Sequence, residues 1–298
     1  MPDSNPHELR LGVFTTASII AIADGLDLFA ARGISVVVEE VTGSGEQMQG
    51  LRDHRFDVVH TSPDNIMKSR LDGDDVFVFF VLDMGLPQLL AGRSGVADWD
   101  ALAGGRIGVD DPSSGFAFVV YEMLDANGVD LGACTIESVG SSRQRLDSLL
   151  DGSIDAGLLS AAMSARIEKA GLHVLARAAD VVPWYPGIAA ATSRAVAEEH
   201  PGLLTAYSSA LHEAMTWLED PTHAAAAAAI VADATSTTTD EATAVLRREA
   251  AARTRSLPGP DDAASAVEKI ADLRERYTGQ RAEGTFEDHW MRALAADS

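Results

Sequence analysis

The chain has little with which to build cross-links. Cys134 is the only cysteine among 298 residues, which excludes an intrachain disulfide and a cysteine metal cluster. Lysine occurs only at Lys68, Lys169 and Lys269. Lys and Arg together number 23 against 45 Asp and Glu, for a formal charge of −22. No basic field is present to neutralise phosphates, so a nucleic-acid ligand is not expected. No run reaches the roughly eighteen apolar residues that a membrane helix needs, so the chain is not expected to span a membrane. The eight histidines are scattered without ligand spacing, and neither a metal nor a cofactor is expected. Gly43-Ser44-Gly45 lacks the third spaced glycine of a dinucleotide fingerprint. No Gly-Lys-Ser follows Ser113-Ser114-Gly115, so that turn is not a nucleotide P-loop. The stretch MPDSNPHELRLGVF has neither a basic region nor a long apolar one. The expectation is a protein that is cytoplasmic as encoded, and periplasmic or cell-surface if a leader is missing.

What the chain does have is a regular rhythm. Apolar residues make up 46%, enough for one large domain or two modest ones. Leu11 to Phe14 reads as a strand, Ile19 to Ala30 as a helix with Ser18 as N-cap, and Ser35 to Val41 as a second strand. Gln47 to Asp53 is a helix, Phe56 to His60 a strand, and a further helix runs from Ile66, with Asp64 or Asn65 able to cap it. Strand–helix alternation of this kind predicts a parallel, wound α/β unit. Val76 to Val81 and Leu89 to Ala91 continue it. A second series starts at Arg106 to Val109, with a helix from Phe116 to Ala126. Strands at 135–139, 154–158 and 173–176 follow, with helices at 143–150 and about 161–170 between them. The repeat is legible: Arg55-Phe56-Asp57-Val58-Val59 parallels Ser153-Ile154-Asp155-Ala156-Gly157. Ile188 to Ala191 is the last strand, and from 194 the chain is helical. Two such units predict two lobes with a cleft between them, the default place for a ligand.

Polar residues at strand ends supply the candidates for that cleft. His60 has the chemistry of a carboxylate donor or an acid/base. Ser62, Asp64 and Asn65 follow it; Asn65 suits amide or hydroxyl groups, and Asp64 suits a cation or amine. Ser113, Ser114, Gly115 and Phe116 form the best anion candidate, because hydroxyls meet the free N–H groups of a helix start. Trp184 and Tyr185 offer a stacking surface for a flat ligand, and Asp83 is placed to face the cleft. Arg143 and Arg145 read as solvated. No Ser-His-Asp set can be asserted.

The ordered series GLDLFAARGISVVVEEVTGSGEQMQGLRDHRFDVVHTSPDN, DWDALAGGRIGVDDPSSGFAF and LLDGSIDAGLL resembles the type 2 periplasmic-binding-protein fold. Within it, the series resembles the NMT1/THI5-like group of aliphatic sulfonate-, nitrate- and thiamine-precursor-binding proteins. The resemblance implies an α/β, two-lobed fold with a helical C-terminal tail. It puts 1–91 and 188–298 in the first lobe and 92–187 in the second. It further implies that Thr15, Thr16 and Ser18 line the cleft with the residues above. The implied function is a solute-binding protein that closes on a small organic ligand, a sulfonate, carboxylate or pyrimidine-like molecule, and feeds an ABC-type permease if exported. The alternative is a cytoplasmic enzyme on the same scaffold, a lyase, decarboxylase, desulfinase-like enzyme or hydrolase. It would use His60 as acid/base, paired with Asp64 or Asp83, with the 113–116 turn holding an anion. The cysteine that the desulfinase type carries in its first loop is replaced here by Thr15 to Ser18, so thiolate chemistry is not expected. A sensory or carrier protein is the third reading. Monomer and dimer are both left open.

Overall fold

The computed structural model describes residues 6–14, 16–41, 43–160, 163–252 and 258–296. The first series comprises β1 (His7–Val13), α1 (Ser18–Gly25), β2 (Ile34–Glu40), α2 (Ser44–Arg52), β3 (Val58–Thr61), α3 (Pro63–Leu71) and β4 (Val76–Val81). The second comprises β5 (Gln88–Gly92), α4 (Trp99–Leu102), β6 (Arg106–Val109), α5 (Gly115–Ala126), β7 (Thr135–Ser138), α6 (Ser142–Asp151), β8 (Ala156–Ser160), α7 (Ser164–Lys169), β9 (His173–Arg177) and α8 (Ala178–Val181). The chain then returns through β10 (Ala189–Ser193), α9 (Arg194–Glu199), α10 (Leu203–Glu219), α11 (Ala224–Thr235), α12 (Thr239–Ala252), α13 (Pro260–Thr278) and α14 (His289–Ala296).

The strands form two sheets, ordered β2-β1-β3-β10-β4 and β7-β6-β8-β5-β9. In each, one strand runs against its neighbours, β10 in the first and β5 in the second. Those two strands are lent by the crossing chain. Together with the helical tail, this is the two-lobed type 2 periplasmic-binding-protein arrangement. The expected boundary at 91 is corrected: β5 pairs with β8 and β9, so the chain crosses to the second sheet before Gln88. A short apolar strand shows its own existence in sequence, but not which sheet it will join.

The parallel between 55–59 and 153–157 is a structural repeat. Asp57 Oδ2 accepts from the Arg10 backbone N at 2.8 Å and from Arg10 Nε at 3.0 Å. Asp155 Oδ2 accepts from Arg106 N at 2.8 Å and Arg106 Nε at 3.1 Å. Each carboxylate thus pins the strand that follows it to the leading parallel strand of its sheet. Although burial alone would raise it, bonds from Arg106 and Arg93 hold the Asp155 carboxyl well below the usual carboxylate range. Gln47 and Arg145 stand ten residues before these aspartates. Wholly buried Gln47 donates Nε2 to Gly12 O and His60 O, both at 3.0 Å. Arg145 donates Nε to Leu158 O at 2.6 Å and Nη1 to Gly140 O. Arg145 was expected to be solvated and is instead buried. Its guanidinium donates to backbone carbonyls of β8 and of the turn after β7.

Element bounds shift where local geometry intervenes. The helix expected over 19–30 ends at Gly25, because Asp27 turns left-handed at φ 56° and a single 3-10 turn follows. The last helix begins at His289, since Phe286 bridges to Val78 beside β4 instead. The lobes are joined by the crossing segments: Leu82 N donates to Ile188 O at 3.0 Å, and Gly85 N to Tyr185 O at 2.8 Å. In the tail, α13 packs on α3 of one lobe and α5 of the other. Phe118 of α5 stacks on Tyr277 of α13, with ring centroids 5.6 Å apart. Among the described residues, no helix is long and apolar enough to cross a membrane.

Candidate functional site

The turns after β3 and β6, at the carboxyl ends of their strands, meet each other. Ser62 is the N-cap of α3 and Pro63 its first residue. That helix starts three residues earlier than expected, so Asp64 and Asn65 lie in its first turn and do not cap it. Proline suits this place because its missing N–H would be unbonded in any case. In the second lobe, Ser114 caps α5, its Oγ accepting from Ala117 N at 3.0 Å. Gly115 then opens the helix with a free N–H.

The anion at that N–H is the protein's own. Asp64 Oδ2 accepts from Gly115 N at 2.8 Å. Arg274 of α13 holds the same carboxylate in a fork, Nε to Oδ1 and Nη2 to Oδ2, both at 2.7 Å. Arg274 Nη2 also donates to Ser113 O at 3.0 Å. Both side chains are only 3% exposed. Three elements from both lobes and the tail therefore converge on one buried carboxylate. Glycine at 115 is required by packing: a Cβ there would lie 2.5 Å from the Tyr185 hydroxyl and 2.6 Å from Asp64 Cβ.

The rest of the 110–116 turn is arranged the same way. Ser113 N and Oγ both donate to Asp111 Oδ1 at 2.7 Å, and Ser114 Oγ donates to Asp110 Oδ1 at 2.6 Å. The Ser113 hydroxyl and amide hold the Asp111 carboxyl below the usual range. The first loop repeats the pattern. Thr16 N and Oγ1 donate to Glu40 Oε1 at 3.0 and 3.1 Å. Ser18 opens α1 rather than capping it, since Ala17 holds the cap position. Its N and Oγ reach Glu249 Oε1 of α12 at 3.3 and 3.1 Å. Thr15 lies outside the described residues.

The other sequence candidates divide. Asn65 Nδ2 donates to Thr61 Oγ1 at 2.9 Å and steadies its own turn. Asp83 Oδ1 accepts from Ile188 N at 2.8 Å, tying the two crossing segments together. Tyr185 is wholly buried and so offers no stacking face. Burial and the nearby Asp64 push its phenol well above the ordinary range, so it stays a neutral hydroxyl beside Ser62. Trp184 is covered by Lys269, whose Nζ lies 5.3 Å from the ring. Phe116 is half-buried and packs against the core.

His60 lies within the first lobe. Its Nε2 is 2.9 Å from the hydroxyl of Tyr207 on α10, and Tyr207 stacks on Phe29. Burial pushes the imidazole down to about 3, so His60 is neutral at physiological pH. Asp64, its expected acid/base partner, is committed to Arg274 and Gly115. Among the described residues, no group of three His, Cys, Asp or Glu is placed to hold a metal ion.

Arg274, Glu249, Glu40 and Gln47, which bond Asp64, Ser18, Thr16 and Gly12, are not singled out by the sequence. The first two sit in helices whose charged faces look solvated, and nothing local signals that they turn inward.

The comparisons agree on family and fold. No curated protein matches the chain. The ligand-binding component of an ABC-type import system from Staphylococcus aureus with zinc bound superposes with a TM-score of 0.78 at 13% identity, covering 97% of this chain and 99% of that one. The alkanesulfonate-binding protein SsuA from Xanthomonas axonopodis pv. citri bound to MOPS gives 0.72 at 17%, over 92% and 94%. The nitrate-binding protein NrtA from Synechocystis PCC 6803 gives 0.75 at 12%, over 97% and 88%. The NMT1-like family model matches residues 3–232. With this match and its two sheets and crossing strands, the chain belongs to the NMT1-like family and has the type 2 periplasmic-binding-protein fold.

Proposed function

We propose that the protein is a solute-binding protein that holds a small organic molecule between its lobes and delivers it to an ABC-type permease. The observation that carries this reading is the meeting of the 62–65 and 110–115 turns through Asp64 and Gly115. The two sheet ends are joined there by the Asp64 carboxylate, by α13 packed on both lobes and by two crossing segments. That construction lets lobes close around a ligand and release it. Two of the structural relatives above are named for binding sulfonates or nitrate, which supports the reading without specifying the ligand. Delivery to a permease requires the chain to act outside the cytoplasmic membrane. The test is a thermal-shift screen of small organic molecules, with each hit incubated and its mass followed. A hit that raises the melting temperature and returns unchanged is the expected result. Steady conversion of the hit would overturn the proposal.

A further inference from the structure

Donors and acceptors around the crevice are in very different states. Most donors are occupied by internal carboxylates: Gly115 N by Asp64, Ser113 and Ser114 by Asp111 and Asp110, Thr16 by Glu40, and Ser18 by Glu249. The neighbouring hydroxyls of Ser62 and Tyr185 have no carboxylate partner. The cations at the lobe boundary are occupied too. Arg274 is on Asp64, Arg276 on Glu122 and Lys68 on Asp111. A free anion entering here would meet filled donors and a wall of negative charge.

Acceptors, in contrast, are left open. Glu249 Oε2 is buried and has no hydrogen-bond partner, while Oε1 serves Ser18. Gln47 Oε1 also lacks a partner, and that side chain is 0% exposed. The amide cannot usefully turn over. Its Nε2 is fixed on Gly12 O and His60 O, and a reversed amide would set oxygen against both carbonyls. Its bonds to Gly12 and His60 place Gln47 at the carboxyl ends of β1 and β3. The same end of the sheet carries Glu40, which pairs in register with Val13, and the first turn of α1, where Glu249 lies. An unpaired buried acceptor is unfavourable, and a donor supplied by a ligand removes that cost.

We infer that the ligand carries a hydrogen-bond-donating cation, an ammonium or amidinium group, which lodges against Glu249 and Gln47 at the carboxyl ends of β1–β3. This inference rests on the solute-binding reading and names its ligand class. It separates this chain in chemistry from relatives named for sulfonate or nitrate. The net charge of −22 adds long-range attraction for such a ligand.

The test uses the full chain and a charge-matched panel. Putrescine, agmatine and benzamidine are set against methanesulfonate, benzoate and nitrate, with binding read by thermal shift and calorimetry. A cationic probe is expected to bind at one site per chain, and Glu249→Gln to weaken it about tenfold or more, the size of one charge-assisted bond. Circular dichroism checks that the variant is folded. If it is not, Glu40→Gln, on an exposed side chain at the same sheet end, reads the same loss on a smaller scale. Cation binding unchanged by both substitutions overturns the inference, because it would then reflect the acidic surface alone. Binding of a sulfonate, carboxylate or nitrate in place of the cations also overturns it, while leaving the solute-binding reading intact. Silence across both halves of the panel overturns the solute-binding reading and the inference with it.

Discussion

Asp64 and Arg274 stand 210 residues apart in the chain and meet in a buried two-pronged ion pair of 2.7 Å bonds. Asp64 belongs to the first lobe, Arg274 to the tail, and the carboxylate between them caps a helix of the second lobe. A pair in this position fastens the crevice and sets the charge of its floor. Removing one partner leaves a buried charge without compensation. Arg274→Ala is therefore expected to cost about 3–5 kcal/mol of stability. Arg274→Ala combined with Asp64→Ala should cost less than the sum of the two single changes. Urea midpoints of the four proteins check this, and strict additivity would mean that the pair does not act as a unit.

Stability is expected to fall on the acid side through His60. Burial holds its folded pKa at about 3, against an ordinary value of 6.5. Between those values the unfolded chain binds the proton and the folded chain does not. The contribution is complete above pH 6.5 and is lost as pH falls from 6.5 toward 3, at about 1.4 kcal/mol per pH unit. His60→Gln should flatten that part of the profile. An unchanged slope between pH 6.5 and 5 would mean that other groups govern it.

Gly115→Ala is expected to destabilise the closed arrangement by about 1–3 kcal/mol, the usual cost of overpacking. The new methyl group would meet the Tyr185 hydroxyl at 2.5 Å and Asp64 at 2.6 Å. Adding Tyr185→Phe removes the hydroxyl and should recover part of the loss. Thermal melts of the single and double variants decide it, and no recovery would place the strain on Asp64 alone.

Tyr207→Phe removes the partner of His60 Nε2, which then stays buried without a bond. The expected loss is about 1–3 kcal/mol. No effect on ligand binding is expected, because the two buried side chains are bonded to each other. A variant of native stability that failed to bind would return His60 to the candidate site.

The fold was largely legible because hydrophobic period and turn residues are local. The Phe56-Asp57 and Ile154-Asp155 parallel even exposed the repeat between the two sheets. Sheet membership of β5 was not legible, since it depends on a pairing with β8 more than sixty positions away. The site was half legible. The 62–65 and 113–116 turns do meet each other, but the sequence could not show that Asp64 fills the anion position of the second turn. Nor could it show that Arg274 and Glu249 reach in from the tail. Such contacts depend on side chains brought together only by the finished fold. Arg145 shows the same limit: an arginine in a polar helix looks solvated until the backbone carbonyls around it are seen.

Hydrogen–deuterium exchange, with and without a ligand found by the charge-matched panel, tests the central claim most directly. A solute held between the lobes should slow exchange in the first turn of α1 and the start of α2. It should also slow exchange in the 110–116 turn of the second lobe. Protection on only one lobe, or on the outer helices alone, would contradict a ligand held in the crevice.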